Sequence, residues 1–190
     1  CASPILNRRL APAIYLAVVS ISGTADKPVI TSSGEATEYA VKMAQFSQSS
    51  QLDFMLAAGE LKVEHMDAIA QMVADFHQHI DIADESMDYG NNNILFQPVE
   101  ENISQIREHL DTTLYTNTLA ALQLWSKSTF EKLKFIFEQR KCDGFVRECH
   151  GDMHLRNLVW LENGPTAFDC IEFNSHLRWI DVISEVAFVV

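Results

Sequence analysis

The chain has 190 residues, 47% of them hydrophobic and 21% charged, with 14 Lys+Arg against 26 Asp+Glu and a formal net charge of −12. That apolar content excludes a disordered chain, and the length suits one domain or two small ones. The acidic balance excludes nucleic acid as the default partner, because binding to a phosphate backbone draws on clustered Lys and Arg. No apolar run reaches the roughly 18–20 residues of a membrane helix, so no membrane partner is expected. Cys1, Cys142, Cys149 and Cys170 form no C-x-x-C pair and are too sparse for a disulfide framework, which favours a reducing cytoplasmic setting.

In chain order, Ile5 to Leu10 reads as the last turns of a helix before Pro12, and Ala11 to Ile21 as a buried strand. Gly23 to Pro28 supplies turn chemistry, Val29 to Thr31 a second extended piece and Gly34 another break, and Glu38 to Phe46 reads as a strand. Together these make an antiparallel meander. From Glu60 the apolar period lengthens, and Met66, Ile69, Ala70, Val73, Phe76 and Ile80 mark one face of an amphipathic helix. Asp81 to Pro98 reads as a polar, acidic loop. Helical periodicity resumes at Ile103, Ile106 and Leu110 and again at Leu119, Leu122, Leu133 and Ile136, as two helices or one broken one, closed near Gly144. Strands are then expected at Phe145–Cys149, Leu158–Leu161 and Thr166–Phe173, with Glu162-Asn163-Gly164-Pro165 as a hairpin turn, and Ile180 to Val190 opens a helix or buried segment. The fold class is α+β.

One stretch carries chemistry: His150-Gly151-Asp152-Met153-His154-Leu155-Arg156-Asn157, followed twelve residues after Asn157 by Asp169. It lies on a strand–loop–hairpin, and loops fixed on a rigid scaffold are where catalytic groups commonly sit. Phosphoryl transfer needs this kit: a carboxylate to accept and orient a hydroxyl, and an amide oxygen with a second carboxylate to hold Mg²⁺.

At these residues the sequence resembles the aminoglycoside phosphotransferase/choline kinase family of kinase-like enzymes, with its signature His-x-Asp-x-x-x-x-Asn and a following metal-binding Asp. The likeness is strongest to a bacterial subgroup carrying Phe-Asp-Cys-Ile-Glu-Phe and Arg-Trp-Ile-Asp-Val, sometimes fused to a P-loop domain; no G-x-x-x-x-G-K-[ST] occurs here. The resemblance implies an ATP- and Mg²⁺-dependent phosphotransferase acting on a small-molecule hydroxyl. Asp152 would accept and orient that hydroxyl, Asn157 and Asp169 would hold Mg²⁺, and His150 and a helical Asp181 would keep the catalytic loop in shape. It implies a two-lobed fold, with residues 1–46 the remnant of a small lobe incomplete at its N-terminus and residues 47–190 a large helical lobe truncated at its C-terminus. Lys42 to Phe46 would form the hinge, with Met43, Ala44 and Phe46 against adenine. The phosphate-covering loop and the ATP-contacting lysine would precede Cys1, so the chain by itself is expected to be inactive or nearly so.

Other readings compete. Ala40-Val41-Lys42 imitates the strand of the ATP lysine, but chain order makes Lys42 a solvent-facing hinge residue. His150, Asp152 and His154 could form the transition-metal cluster of a hydrolase, which requires three protein ligands. The loop could also belong to a catalytically dead nucleotide-binding or interaction module. His77 and His79 point to different helix faces and read as a surface or interface feature. Strand alternation sets Glu172 on the face opposite Asp169. Cys149 and Cys170 read as buried, unreactive thiols. Arg156 could reach a phosphate or project outward. Asp81, Asp84, Glu85 and Asp88 read as solvated charge rather than a site for a cationic acceptor.

Overall fold

Strands β1 (Tyr15–Thr24), β2 (Lys27–Thr31) and β3 (Glu38–Met43) open the computed structural model, which describes residues 6–31, 36–109 and 112–189. Later come β4 (Val146–Glu148), β5 (Leu158–Leu161), β6 (Gly164–Ala167) and β7 (Trp179–Asp181), interleaved with helices, so the fold is mixed α and β as expected. Contacts group the described residues into two compact units that do not follow the 1–46 and 47–190 division: one drawn from 1–80, 150–178 and 183–190, the other from 81–149 and 179–182. No helix among the described residues is long and apolar enough to cross a membrane.

In the first unit, β1 pairs antiparallel with β2 on one side and β3 on the other. The turn closes on Gly23, at φ 89°, where an added Cβ would sit 2.4 Å from the Lys27 carbonyl oxygen, so a side chain there would collide with backbone. The expected antiparallel strands form, but not as a meander, because β3 pairs with β1 rather than with β2, which leaves β1 in the middle; two bounds also change. β1 starts at Tyr15 and is largely uncovered, with Leu16 45% and Val18 41% exposed, because only its first residue reaches a core. β3 ends at Met43, short of Phe46. Ile5 and Gly34 lie outside the described residues.

The helix Val63–His79 buries Ile69, Val73 and Phe76, the stripe its periodicity requires, against Leu52, Met153, Leu158 and Ala167. A second cluster joins Ala11, Ile14 and Tyr15 to Val159, with Phe46, Leu161 and Phe168 packed on it. The helix Leu52–Ala57 had no sequence signal, since six residues are too few to establish a period. β5 and β6 form the expected hairpin, but the loop is only Glu162-Asn163, with Leu161 opposite Gly164. Gly164, at φ 104°, absorbs the reversal. β6 therefore ends at Ala167, and residues 168–173, expected to be strand, leave the sheet at Asp169, whose φ is 63°.

In the second unit, the helices Gln97–His109 and Thr112–Cys142 pack together, with Arg107 donating to Gln123 at 3.0 Å. The break expected between them falls outside the described residues. Gly144, at φ 76°, ends the longer helix as expected, and the Phe145 amide donates back to the Arg140 carbonyl at 3.0 Å. The expected acidic loop contains a short helix, Asn92–Leu95, and Asp84 closes a turn by accepting from the Ser86 amide at 2.7 Å. Trp179-Ile180-Asp181, expected to be helical, is strand β7, paired antiparallel with β4, because the helix begins one residue later in Val182–Val189.

Candidate functional site

All of the signature loop, from His150 to Asp169, lies in the first unit. The His150 ring is buried, and its Nε2–H donates to the Phe168 carbonyl at 2.9 Å while Nδ1 accepts from the Asp152 amide at 3.3 Å. Burial pushes its pKa below the ordinary histidine value, so the ring is neutral with both nitrogens engaged. The His150 carbonyl accepts from the Ile171 amide at 3.0 Å. His150 thus ties the loop to the segment carrying Asp169. A ring so engaged has no lone pair left for a metal, which removes the His150–Asp152–His154 hydrolase cluster.

The loop needs a second support. Gly151, at φ 88°, cannot carry a Cβ, which would lie 2.6 Å from the Leu177 carbonyl oxygen. The amides of His150 and Gly151 both donate to Glu185 Oε1, at 2.6 and 2.8 Å, and Glu185 Oε2 lies 2.7 Å from His77 Nε2. Glu185 is fully buried. The buttress expected of Asp181 therefore belongs to Glu185, four residues on; Asp181 instead receives Arg140 through two hydrogen bonds of 2.6 and 2.8 Å. His77, expected at the surface, is buried, because Val73, Phe76, His77 and Ile80 fall at i, i+3, i+4 and i+7 on the packed face. His79 does point elsewhere and is exposed. Sequence carried a signal for both partners: His77 completes the apolar stripe, and Glu185 is the lone charge in Val182–Val189.

Asp152 and Asn157 are brought together directly. Asn157 Nδ2 donates to the Asp152 carbonyl at 2.9 Å and to Asp152 Oδ2 at 3.1 Å. That commits the amide nitrogen to Asp152 and leaves Oδ1 as the atom of this buried side chain that could meet a cation. The hairpin ties the residue before Asp169 to this pair, since the Phe168 amide donates to the Asn157 carbonyl at 2.9 Å. Asp169 is exposed, and its own amide donates to the Tyr15 hydroxyl at 3.0 Å. Burial raises the Tyr15 pKa to about 12, so the hydroxyl stays neutral there. Two oxygen donors, one carboxylate and one amide carbonyl, suit a hard cation such as Mg²⁺.

Asn7 anchors the segment after Asp169, accepting from the Cys170 amide at 2.9 Å and donating to Glu172 Oε1 at 2.5 Å. Burial first, then the negative charge of Asp169, raises the pKa of Glu172. The alternation that set Glu172 opposite Asp169 does not apply, because this segment is no strand. Cys170 is buried with its thiol pushed up to about 11, and Cys149 is buried, both as expected of inert thiols.

Of the expected hinge, Met43 ends β3 and is exposed, and the Ala44 amide is committed to the Ile14 carbonyl at 2.8 Å. The Phe46 ring lies 5.1 Å from that of Phe168, next to Asp169. Lys42 is exposed, as chain order implied. Arg156 is also exposed, 3.9 Å from Asp53. A groove of about 680 Å³, lined by Arg9, Met72, Asp75, Phe76 and Trp160 among others, includes none of the expected site residues.

Comparison with known proteins gives relatives but no activity. The chain is similar to mycobacterial proteins. It is 27% identical over 185 residues to the uncharacterized protein Mb2027c of Mycobacterium bovis and, at the same level, to the uncharacterized protein Rv2004c of Mycobacterium tuberculosis. The match covers 97% of this chain and 35% of each relative, so the chain spans about a third of their length. No protein-family model and no solved structure matches it.

Proposed function

We propose that the chain carries the catalytic loop of an ATP- and Mg²⁺-dependent phosphotransferase of the aminoglycoside phosphotransferase/choline kinase type, with a kinase-like two-lobed fold, acting on a small-molecule hydroxyl. The observation that supports this most is that Asn157 links both halves of the signature: its side-chain amide is bonded to Asp152, and its carbonyl receives the amide of the residue before Asp169.

Each residue then has one task. Asp152 takes the proton of the acceptor hydroxyl and holds its oxygen for attack. Asn157, through Oδ1, and Asp169 would hold Mg²⁺, which when bound neutralises charge on the transferring phosphate. His150 stays neutral and holds the loop against the Asp169 segment. Glu185 fixes the loop from beneath. The hinge residues Met43, Ala44 and Phe46 would border the adenine. Catalysis of this kind is mostly positioning and electrostatics, which is why so many of these side chains serve only to hold others.

The test is thermal stabilisation of the chain by ATP with and without Mg²⁺. At ligand about 100-fold above its dissociation constant, binding stabilises by about 2.7 kcal/mol, a rise of about 5–10 °C in Tm for a chain of this size. The shift is expected to require Mg²⁺, to vanish in Asp169→Ala and to persist in Asp152→Ala. No shift, or one indifferent to Mg²⁺ and to Asp169, overturns the reading.

A further inference from the structure

We propose that His154 is a positioning residue for Asp152, pinning the carboxylate oxygen Oδ2 so that Oδ1 is the atom offered to the acceptor hydroxyl. The inference rests on the phosphotransferase reading for its catalytic meaning, and on the loop geometry for its substance.

His154 caps the single 3₁₀ turn Leu155–Asn157, and its Nδ1 accepts from the Arg156 amide at 3.2 Å. A ring nitrogen that accepts an N–H must present a lone pair, so the proton of the neutral ring sits on Nε2. Nε2 lies 3.5 Å from Asp152 Oδ2. The backbone therefore selects the tautomer whose proton is on the ring nitrogen nearest the carboxylate. The Arg156 backbone is itself held from the other side, where its carbonyl accepts from Gln51 Nε2 at 3.0 Å.

Asn157 Nδ2 donates to the same oxygen at 3.1 Å. The Asn157 hydrogen bond on Oδ2, with the His154 ring nitrogen 3.5 Å from the same oxygen, opposes the rotation that would exchange the two carboxylate oxygens. A group that receives a proton from a bound hydroxyl must place one oxygen within hydrogen-bond reach of it, and this arrangement designates Oδ1. The 3.5 Å separation is long for a hydrogen bond, and catalytic contacts of this sort commonly shorten when ligand fills the site. The His154 side chain is 36% exposed, so its removal opens no cavity in the core.

The experiment is ¹⁵N-histidine and ¹³C-carboxyl nuclear magnetic resonance on the chain and on His154→Ala, His154→Gln and Asp152→Asn. The expected result is an Nε2–H tautomer at His154 whose resonance moves in Asp152→Asn, with an Asp152 carboxyl signal displaced in His154→Ala and largely restored in His154→Gln, whose amide can donate in place of the ring. An Nδ1–H tautomer, a ring that ignores Asp152→Asn, or a glutamine no better than alanine overturns the proposal. Failure of the wild-type chain to bind Mg²⁺·ATP would instead remove the phosphotransferase reading, and the tautomer and carboxyl signals would still decide whether His154 holds Asp152.

Discussion

Glu185 concentrates three interactions on one buried carboxylate: two loop amides on Oε1 and the His77 ring on Oε2. Glu185→Ala orphans two buried backbone donors and an imidazole, a class of change that costs about 3–5 kcal/mol. The expected outcome is a large drop in the denaturant midpoint, with Glu185→Gln milder because its carbonyl still receives the amides. His150 gives a pH signature. Burial depresses its native pKa below the ordinary 6.5, so the unfolded chain binds more protons between the two values. Its contribution is fully present above about pH 6.5 and is lost as pH falls through the native value. Unfolding at pH 7.5 and 5.5 should show a smaller difference for His150→Gln than for the wild-type chain; an unchanged difference would rule the assignment out. At this scale the sequence carries the signature residues plainly, because Asp152 and Asn157 are five apart and meet through one loop. It does not separate Asp181 from Glu185: both are acids on one short segment, and only the end of β7 and the start of the helix decide which faces the loop.

Among elements, the β5–β6 hairpin does the most to assemble the site. A four-residue strand, a two-residue reversal and a four-residue return bring the residue before Asp169 into register with Asn157. The turn was legible from Asn163-Gly164, since glycine readily takes the positive φ that ends such a reversal. The length of β6 was not, because Ile171 and Phe173 continue a strand-like pattern while the backbone has already turned at Asp169. β7 offers a test of the corrected roles. Asp181 pairs with Arg140, and β7 lies against β4, so Asp181→Ala should speed amide exchange in β4 and β7 while His150 and Gly151 remain protected. Glu185→Ala should expose those two amides instead. Equal loss of loop protection in both variants would return the buttress to Asp181.

For the whole molecule, the sheet β2-β1-β3 presents one face bearing Val18, Tyr39 and Val41, all exposed, with Val18 directly opposite Val41. Contiguous apolar surface of this kind binds environment-sensitive dyes. The double variant Val18→Thr/Val41→Thr should reduce that signal while moving stability by no more than about 0.5 kcal/mol per site; a strongly lowered Tm would mean that the face is core. Composition by itself determined that the chain folds around apolar residues and is acidic, and spacing determined the long helices, the hairpin and the run from His150 to Asn157. Each of those depends on residues close in sequence, whose relations a local period can encode. Tertiary structure alone decided that Tyr15 and Asn7 hold the Asp169 segment from more than 150 residues away, that His77 and Glu185 meet beneath the loop, and that Asp169 takes a left-handed backbone. Such pairings arise from packing between distant segments, and no local pattern records which buried donor will meet which acceptor.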